Sequence, residues 1–256
     1  MSSRILAALF LLALAPGASA LTQQETDALV KRVDERQHNN GDWAASCYME
    51  SKEKDKTDVV YDLLYFRRTE GQRLLILFTR PKDQTGKGYL RIEKNLWSYD
   101  PSTGRWERRT ERERIGGSDT RRGDLDVSRL AEEYTARWEG SERLGKFDTH
   151  RLQLDVKEGI DVAFPRIRLW VDAATGNILK RQEMALSGRL MRTSYYPRWR
   201  KVHSESKGAD VWYPEEMRYF DEIDKTNSTL ILVRRVDLRP LDQNVFTKAW
   251  LESKSR

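Results

Sequence analysis

The chain is poor in the residues that usually carry chemistry or covalent bracing. Its 256 residues include a single cysteine, Cys47. One cysteine cannot close an internal disulfide, so the fold must hold together by burial. In DWAASCYMES, Cys47 alternates with its neighbours as a small buried residue would on a strand. There are three histidines, His38, His150 and His203, and no pair has zinc-motif spacing. The GGSD at Gly116–Asp119 is not a G-x-S-x-G elbow, and no glycine-rich loop cradles a phosphate before a helix. Metal, cofactor and catalytic set are all missing from this reading, so an enzyme is not expected.

Long hydrophobic runs are also lacking. The longest, Ile5–Ala15, has 11 residues, against the ~20 needed to span a bilayer. It follows Arg4 and precedes APGASA, the pattern of a secretory signal peptide cleaved after Ala20. No cysteine follows the small residues, so a lipid-anchored N-terminus is not expected. No linker, low-complexity tract or fixed-period repeat interrupts the remainder, which reads as one domain over residues 21–256.

What is present is charge and aromatic surface. Charged residues make up 34% of the chain and hydrophobic ones 38%, a thin apolar share, yet 8 Trp, 10 Tyr and 7 Phe argue against disorder. The net charge is +6. Export makes nucleic acid a poor partner; a mildly basic surface serves solubility or meets anionic headgroups or an acidic protein face.

Thr22–Gln37 reads as a helix with Thr22 and Glu25 as a capping box and Leu29, Val30 and Val33 as a narrow apolar stripe. Gly41 stops it. From Trp43 the period changes to 2. WAASCYMES, TDVVYDLLYFRRT and QRLLILFTR are strands, the last two joined tightly through EGQ. KGYLRIEK, LWSYD, the PSTG turn and RWERRTE follow. Arg108–Asp126 reads as a long charged surface loop. DVSRLAEEYTARW reads as a short helix capped by Ser128, with Leu130, Tyr134 and Trp138 on one side. The second half returns to strands, with a hairpin turning at DAATGN, and the tail LDQNVFTKAWLES ends in a short turn or helix.

These elements predict a mainly β (α+β) fold: a curved antiparallel sheet of about ten or eleven strands, closing into an incomplete barrel. Such a barrel needs side chains, a plug or a ligand in its interior. Trp97, Tyr99 and Trp106 fit either that interior or a core under a helix. Ile92 and Trp97 differ by an odd number of positions, so a bulge near Asn95 is needed for them to share a face.

The run GKGYLRIEKNLWSYDPSTGRWERRTERERIGGSDTRRGDL resembles the LolA-like outer-membrane lipoprotein-sorting protein family. The similarity rests on Gly88–Leu90, Leu96–Trp97, Tyr99, Pro101, Arg109, Gly117–Ser118–Asp119 and Asp124–Leu125. The ending, with Phe246 and Leu251, is similar too. The resemblance implies a half-open barrel with helices as a lid over an apolar cavity. It also implies a periplasmic carrier without cofactor that binds acylated lipoprotein or lipid. An inner-membrane transporter or exporter would be donor and an outer-membrane protein acceptor, with a monomer expected; an adaptor or sensor working with an exporter is the alternative. The expected cavity lining is Leu63, Tyr65, Leu75, Leu77, Leu90, Ile92, Trp97, Tyr99, Trp106 and Leu169. In LolA an Arg before a Pro ties the lid shut, and Arg80 before Pro81 is the counterpart here.

Overall fold

A computed structural model of the chain describes residues 20–37, 41–93, 95–109 and 128–255. The signal-peptide reading, His38 and the charged stretch from residue 110 onward, with Gly117–Ser118–Asp119 and Asp124–Leu125, lie outside the described residues.

Helix α1 spans Gln23–Gln37. The capping box forms: Thr22 N donates to Glu25 Oε2 at 2.8 Å and Glu25 N donates to Thr22 Oγ1 at 3.2 Å. These bonds satisfy donors that a helix start leaves unpaired. Leu29, Val30 and Val33 are its buried apolar residues.

The rest is built on one curved, open antiparallel sheet. The first-half strands are β1 (Asp42–Lys52), β2 (Val59–Arg68), β3 (Arg73–Arg80), β4 (Gly88–Ile92), β5 (Asn95–Asp100) and β6 (Arg105–Arg109). The second half supplies β7 (Tyr134–Leu144), β8 (Phe147–Val156), β9 (Arg166–Asp172) and β10 (Ile178–Met184). It continues with β11 (Leu190–Ser204), β12 (Ala209–Asp221) and β13 (Ser228–Asp237). The spatial order is β6-β5-β4-β3-β2-β1-β13-β12-β11-β10-β9-β8-β7. Two meanders therefore meet where β1 pairs with β13, and the chain between β6 and β7 links the two outer edges. The described residues also include two short helices, α2 (Leu130–Glu133) and α3 (Lys248–Lys254), the latter preceded by a 3-10 turn at Gln243–Phe246.

Thirteen strands exceed the expected ten or eleven. One extra strand comes from the segment read as a helix through Trp138. That helix is a single turn, and β7 begins at Tyr134. Leu130, Tyr134 and Trp138 are spaced for a helix, but Tyr134, Ala136 and Trp138 are spaced equally well for a strand, and pairing with β8 decides. Ser128 does not cap α2. Its hydroxyl donates to Asp34 of α1 at 2.5 Å, and that carboxylate also accepts Leu130 N at 3.0 Å and Ala131 N at 2.8 Å. A side chain from one helix thus satisfies the first turn of another.

No bulge is needed between Ile92 and Trp97. Ile92 pairs directly with Asn95 across a tight hairpin, and Glu93 takes φ 53° to make it.

Candidate functional site

Residues opposite each other in adjacent strands share a face, so the pairing register assigns every strand residue to one side of the sheet. One row crosses nine strands: Trp138, Leu152, Leu169, Arg181, Ser194, Tyr219, Thr229, Ser51 and Val59. This side carries α1. Here Leu29, Val30 and Val33 pack with Leu130, Tyr134, Leu152, Leu154, Ile167 and Leu169. Burying side chains of this kind contributes about 1.5–3 kcal/mol each. Gln23 Nε2 donates to Ala136 O at 2.9 Å and Arg36 Nη2 to Thr175 O at 2.9 Å, fixing both ends of the helix.

Further along the same face lies a second apolar cluster: Ala45, Cys47, Met49, Tyr61, Leu63, Leu74, Ile76, Phe78, Leu96, Tyr213 and Val233. Every member comes from a strand. Trp43, Tyr65, Tyr89, Met217 and Ile231 pack against it only half-buried. Edge-to-face ring contacts link Trp43 to Tyr65 at 6.1 Å and to Tyr213 at 5.4 Å, and Tyr61 to Phe78 at 5.3 Å. Burial pushes the Cys47 thiol up to about 12, so Cys47 acts as a small apolar residue.

The opposite face holds a third cluster. Leu75, Leu77 and Leu90 pack with Val245, Phe246 and Leu251, flanked by Leu64, Phe66, Ile92, Tyr99 and Trp106. The C-terminal segment seals it. Gly88 makes the close approach possible, since a Cβ there would lie 2.5 Å from Ile76 O and 2.9 Å from Leu251 Cδ1. Trp106 Nε1 donates to Glu252 Oε1 at 2.7 Å, and Lys248 Nζ lies 5.3 Å from the Trp97 ring centroid and 5.0 Å from that of Trp106. Asp42 anchors the segment. It accepts Arg68 Nε and Nη2, each at 2.7 Å, and Leu241 N at 2.5 Å, while Arg68 lies 5.3 Å from the Phe246 ring. The Arg68 hydrogen bonds hold the Asp42 carboxyl below its usual range.

The ten expected lining residues are therefore split between two faces. Leu63, Tyr65 and Leu169 lie on the α1 face. Leu75, Leu77, Leu90, Ile92, Trp97, Tyr99 and Trp106 lie on the other, in the core under α3 that the aromatics also allowed. Arg80 pairs along the sheet. Its Nη1 is 3.3 Å from Asp62 Oδ2 on the adjacent strand, with 77% of its side chain exposed. Alongside the Gln23 and Arg36 bonds, Asp34 ties α1 to residues 128–131. An acidic residue late in α1 carried no signal in the sequence that its partner lay so far along the chain.

A family model described as that of an uncharacterised protein matches residues 70–253. That span covers well over half of the chain, and the chain belongs to that family. No curated protein matches it. Solved structures are similar over nearly their whole length. A DUF1329 family protein from Desulfovibrio piger aligns with TM-score 0.78 and 20% identity over 89% of this chain and 98% of its own. A putative outer membrane lipoprotein-sorting protein domain from Vibrio parahaemolyticus gives TM-score 0.75 and 20% identity over 90% and 100%. A LolA superfamily protein from Nitrosomonas europaea gives 0.70 and 18% over 88% and 98%. The fold is that of the LolA superfamily.

Proposed function

We propose that the chain is a periplasmic, non-enzymatic carrier that takes the acyl chains of a lipid or lipoprotein on the α1 face of its sheet. The observation that carries this reading is the uneven cover of that face. The apolar stripe of the helix packs on the β7–β10 end, with Arg36 over Trp212 of β12, while the cluster around Met49, Leu63 and Tyr65 is made of strand residues with half-buried rings at its rim. Each buried CH₂ of an acyl chain contributes roughly 0.8 kcal/mol, so a long apolar surface is what such cargo needs. Leu63, Tyr65 and Leu169 are retained as ligand-face residues. The seven residues under the C-terminal segment are assigned to holding that segment.

The remainder follows from the fold's relatives and the leader. The Vibrio parahaemolyticus neighbour is described as a putative outer membrane lipoprotein-sorting domain, and this chain is assigned the same kind of handover. It would be exported with cleavage after Ala20 and act as one domain over residues 21–256. As a monomer without cofactor, it would receive cargo from an inner-membrane transporter or exporter and yield it to an outer-membrane acceptor. Native mass spectrometry of the protein purified from its own periplasm tests this. Co-purifying lipid or lipoprotein is the expected result. Empty protein that also fails to extract either from membranes would refute the carrier reading.

A further inference from the structure

The row that crosses the α1 face changes character in its middle. Arg181 and Ser194 stand directly opposite each other on β10 and β11, between Leu169 on one side and Tyr219 on the other. Ser194 is 1% exposed, and its Oγ has no hydrogen-bond partner among the described residues. Arg181 Nε and Trp138 Nε1, in the same row, have none either. All three groups can donate, and none meets an acceptor among the described residues. Native folds rarely leave buried donors unmade, because the lost solvation is not recovered.

The Arg181 guanidinium is also held in place. Its Nη2 lies 2.8 Å from Glu183 Oε1, and the other oxygen of Glu183 is taken by Arg192 Nε. Arg192 lies 5.5 Å from the Phe164 ring and 5.4 Å from that of Tyr219, so aromatic faces brace the clamp from behind. Both oxygens of Glu183 are thus engaged by arginines, and neither meets Arg181 Nε or Ser194 Oγ. A fixed cation with its Nε unmatched, beside a buried hydroxyl that is unmatched too, suits an oxyanion.

We propose that Arg181 and Ser194 form a head-group subsite that binds an anionic oxygen, phosphate or carboxylate, at the head of an acyl chain. The tail lies along the strand-built cluster of β1–β3. This proposal rests on the carrier reading and narrows its cargo toward anionic lipid.

The test is calorimetry on the full mature protein with soluble amphiphiles below their micelle thresholds: dodecyl phosphate, dodecanoate and dodecanol. The expected result is an affinity for at least one anion about tenfold or more above that for dodecanol, as expected for a charge-assisted contact. Preference for dodecyl phosphate identifies a phospholipid-type head, and preference for dodecanoate an acyl carboxylate. S194A and R181M should each lose most of that preference. S194A removes an unsatisfied buried atom, so its melting temperature should equal or exceed that of the wild type. Equal binding of anions and dodecanol, or a preference that survives in both variants, overturns the subsite and leaves the carrier reading standing. Failure of all three amphiphiles to bind overturns the carrier reading itself.

Discussion

The two faces of the sheet solve the same problem in opposite ways. Under the C-terminal segment, Leu75, Leu90 and Leu251 are fully buried, and a glycine, a capped turn and the Asp42–Arg68 pair fix what covers them. On the α1 face the helix's apolar stripe covers one end, Trp43, Tyr65 and Tyr89 are half-buried, and three donors in one row lack partners among the described residues. One face is completed by its own chain. The other is completed on one side only, which is the arrangement a reversible carrier requires. Both faces are apolar, so apolar content alone does not separate core from binding surface; the source of the cover does.

The strongest break in this contrast is at Leu251. L251A should destabilise the protein by about 2–5 kcal/mol, because the cavity it opens is walled by Leu75, Leu77 and Phe246. Denaturant unfolding reads this, while amphiphile affinity of the folded protein should stay unchanged. Next is D34A, which leaves Leu130 N and Ala131 N without their acceptor. A loss of about 1–3 kcal/mol is expected, together with faster hydrogen exchange in α1 and more binding of a dye that reports apolar surface.

Much of this was legible in the sequence, and the exceptions have physical causes. The capping box at Thr22 and Glu25, the turn at Glu70–Gln72 and the hairpin turn after Asp172 each rest on local chemistry, and each formed. Which face a strand residue occupies is not local. In Leu74–Phe78 every residue is buried, so alternation gives no polar side to exclude. Leu75 and Leu77 then went with Leu63 and Tyr65, although the register places them on opposite sides. The hairpin at Glu93 has no glycine or asparagine to announce a positive φ. Arg181, Glu183, Arg192 and Ser194 carried no signal of their own, because nothing in an alternating charged strand distinguishes its inner side.

The contrast also carries a pH dependence. Asp42 has a folded-state pKa below its unfolded value, chiefly through Arg68. Its contribution is therefore fully present above the unfolded value of about 3.9 and is lost as pH falls through the folded value. Thermal melts taken downward from pH 5 should show loosening of the C-terminal face, and D42N should flatten that slope. The smallest effect belongs to Arg80. Its ion pair with Asp62 is solvent-exposed, so R80A should change stability by no more than about 0.5 kcal/mol and leave cargo binding intact. A large loss of binding would instead support Arg80 as a latch.

The central claim is that cargo occupies the α1 face and not the face under α3. Five of the eight tryptophans divide usefully for this purpose, with Trp43 and Trp138 on the first face and Trp97, Trp106 and Trp250 on the second. Fluorine NMR of 5-fluorotryptophan-labelled protein with a doxyl-labelled stearate measures which indoles the chain approaches. Selective broadening of Trp43, with Trp97, Trp106 and Trp250 unaffected, is the result this account predicts. Broadening of Trp97, Trp106 and Trp250 with Trp43 unchanged would contradict it.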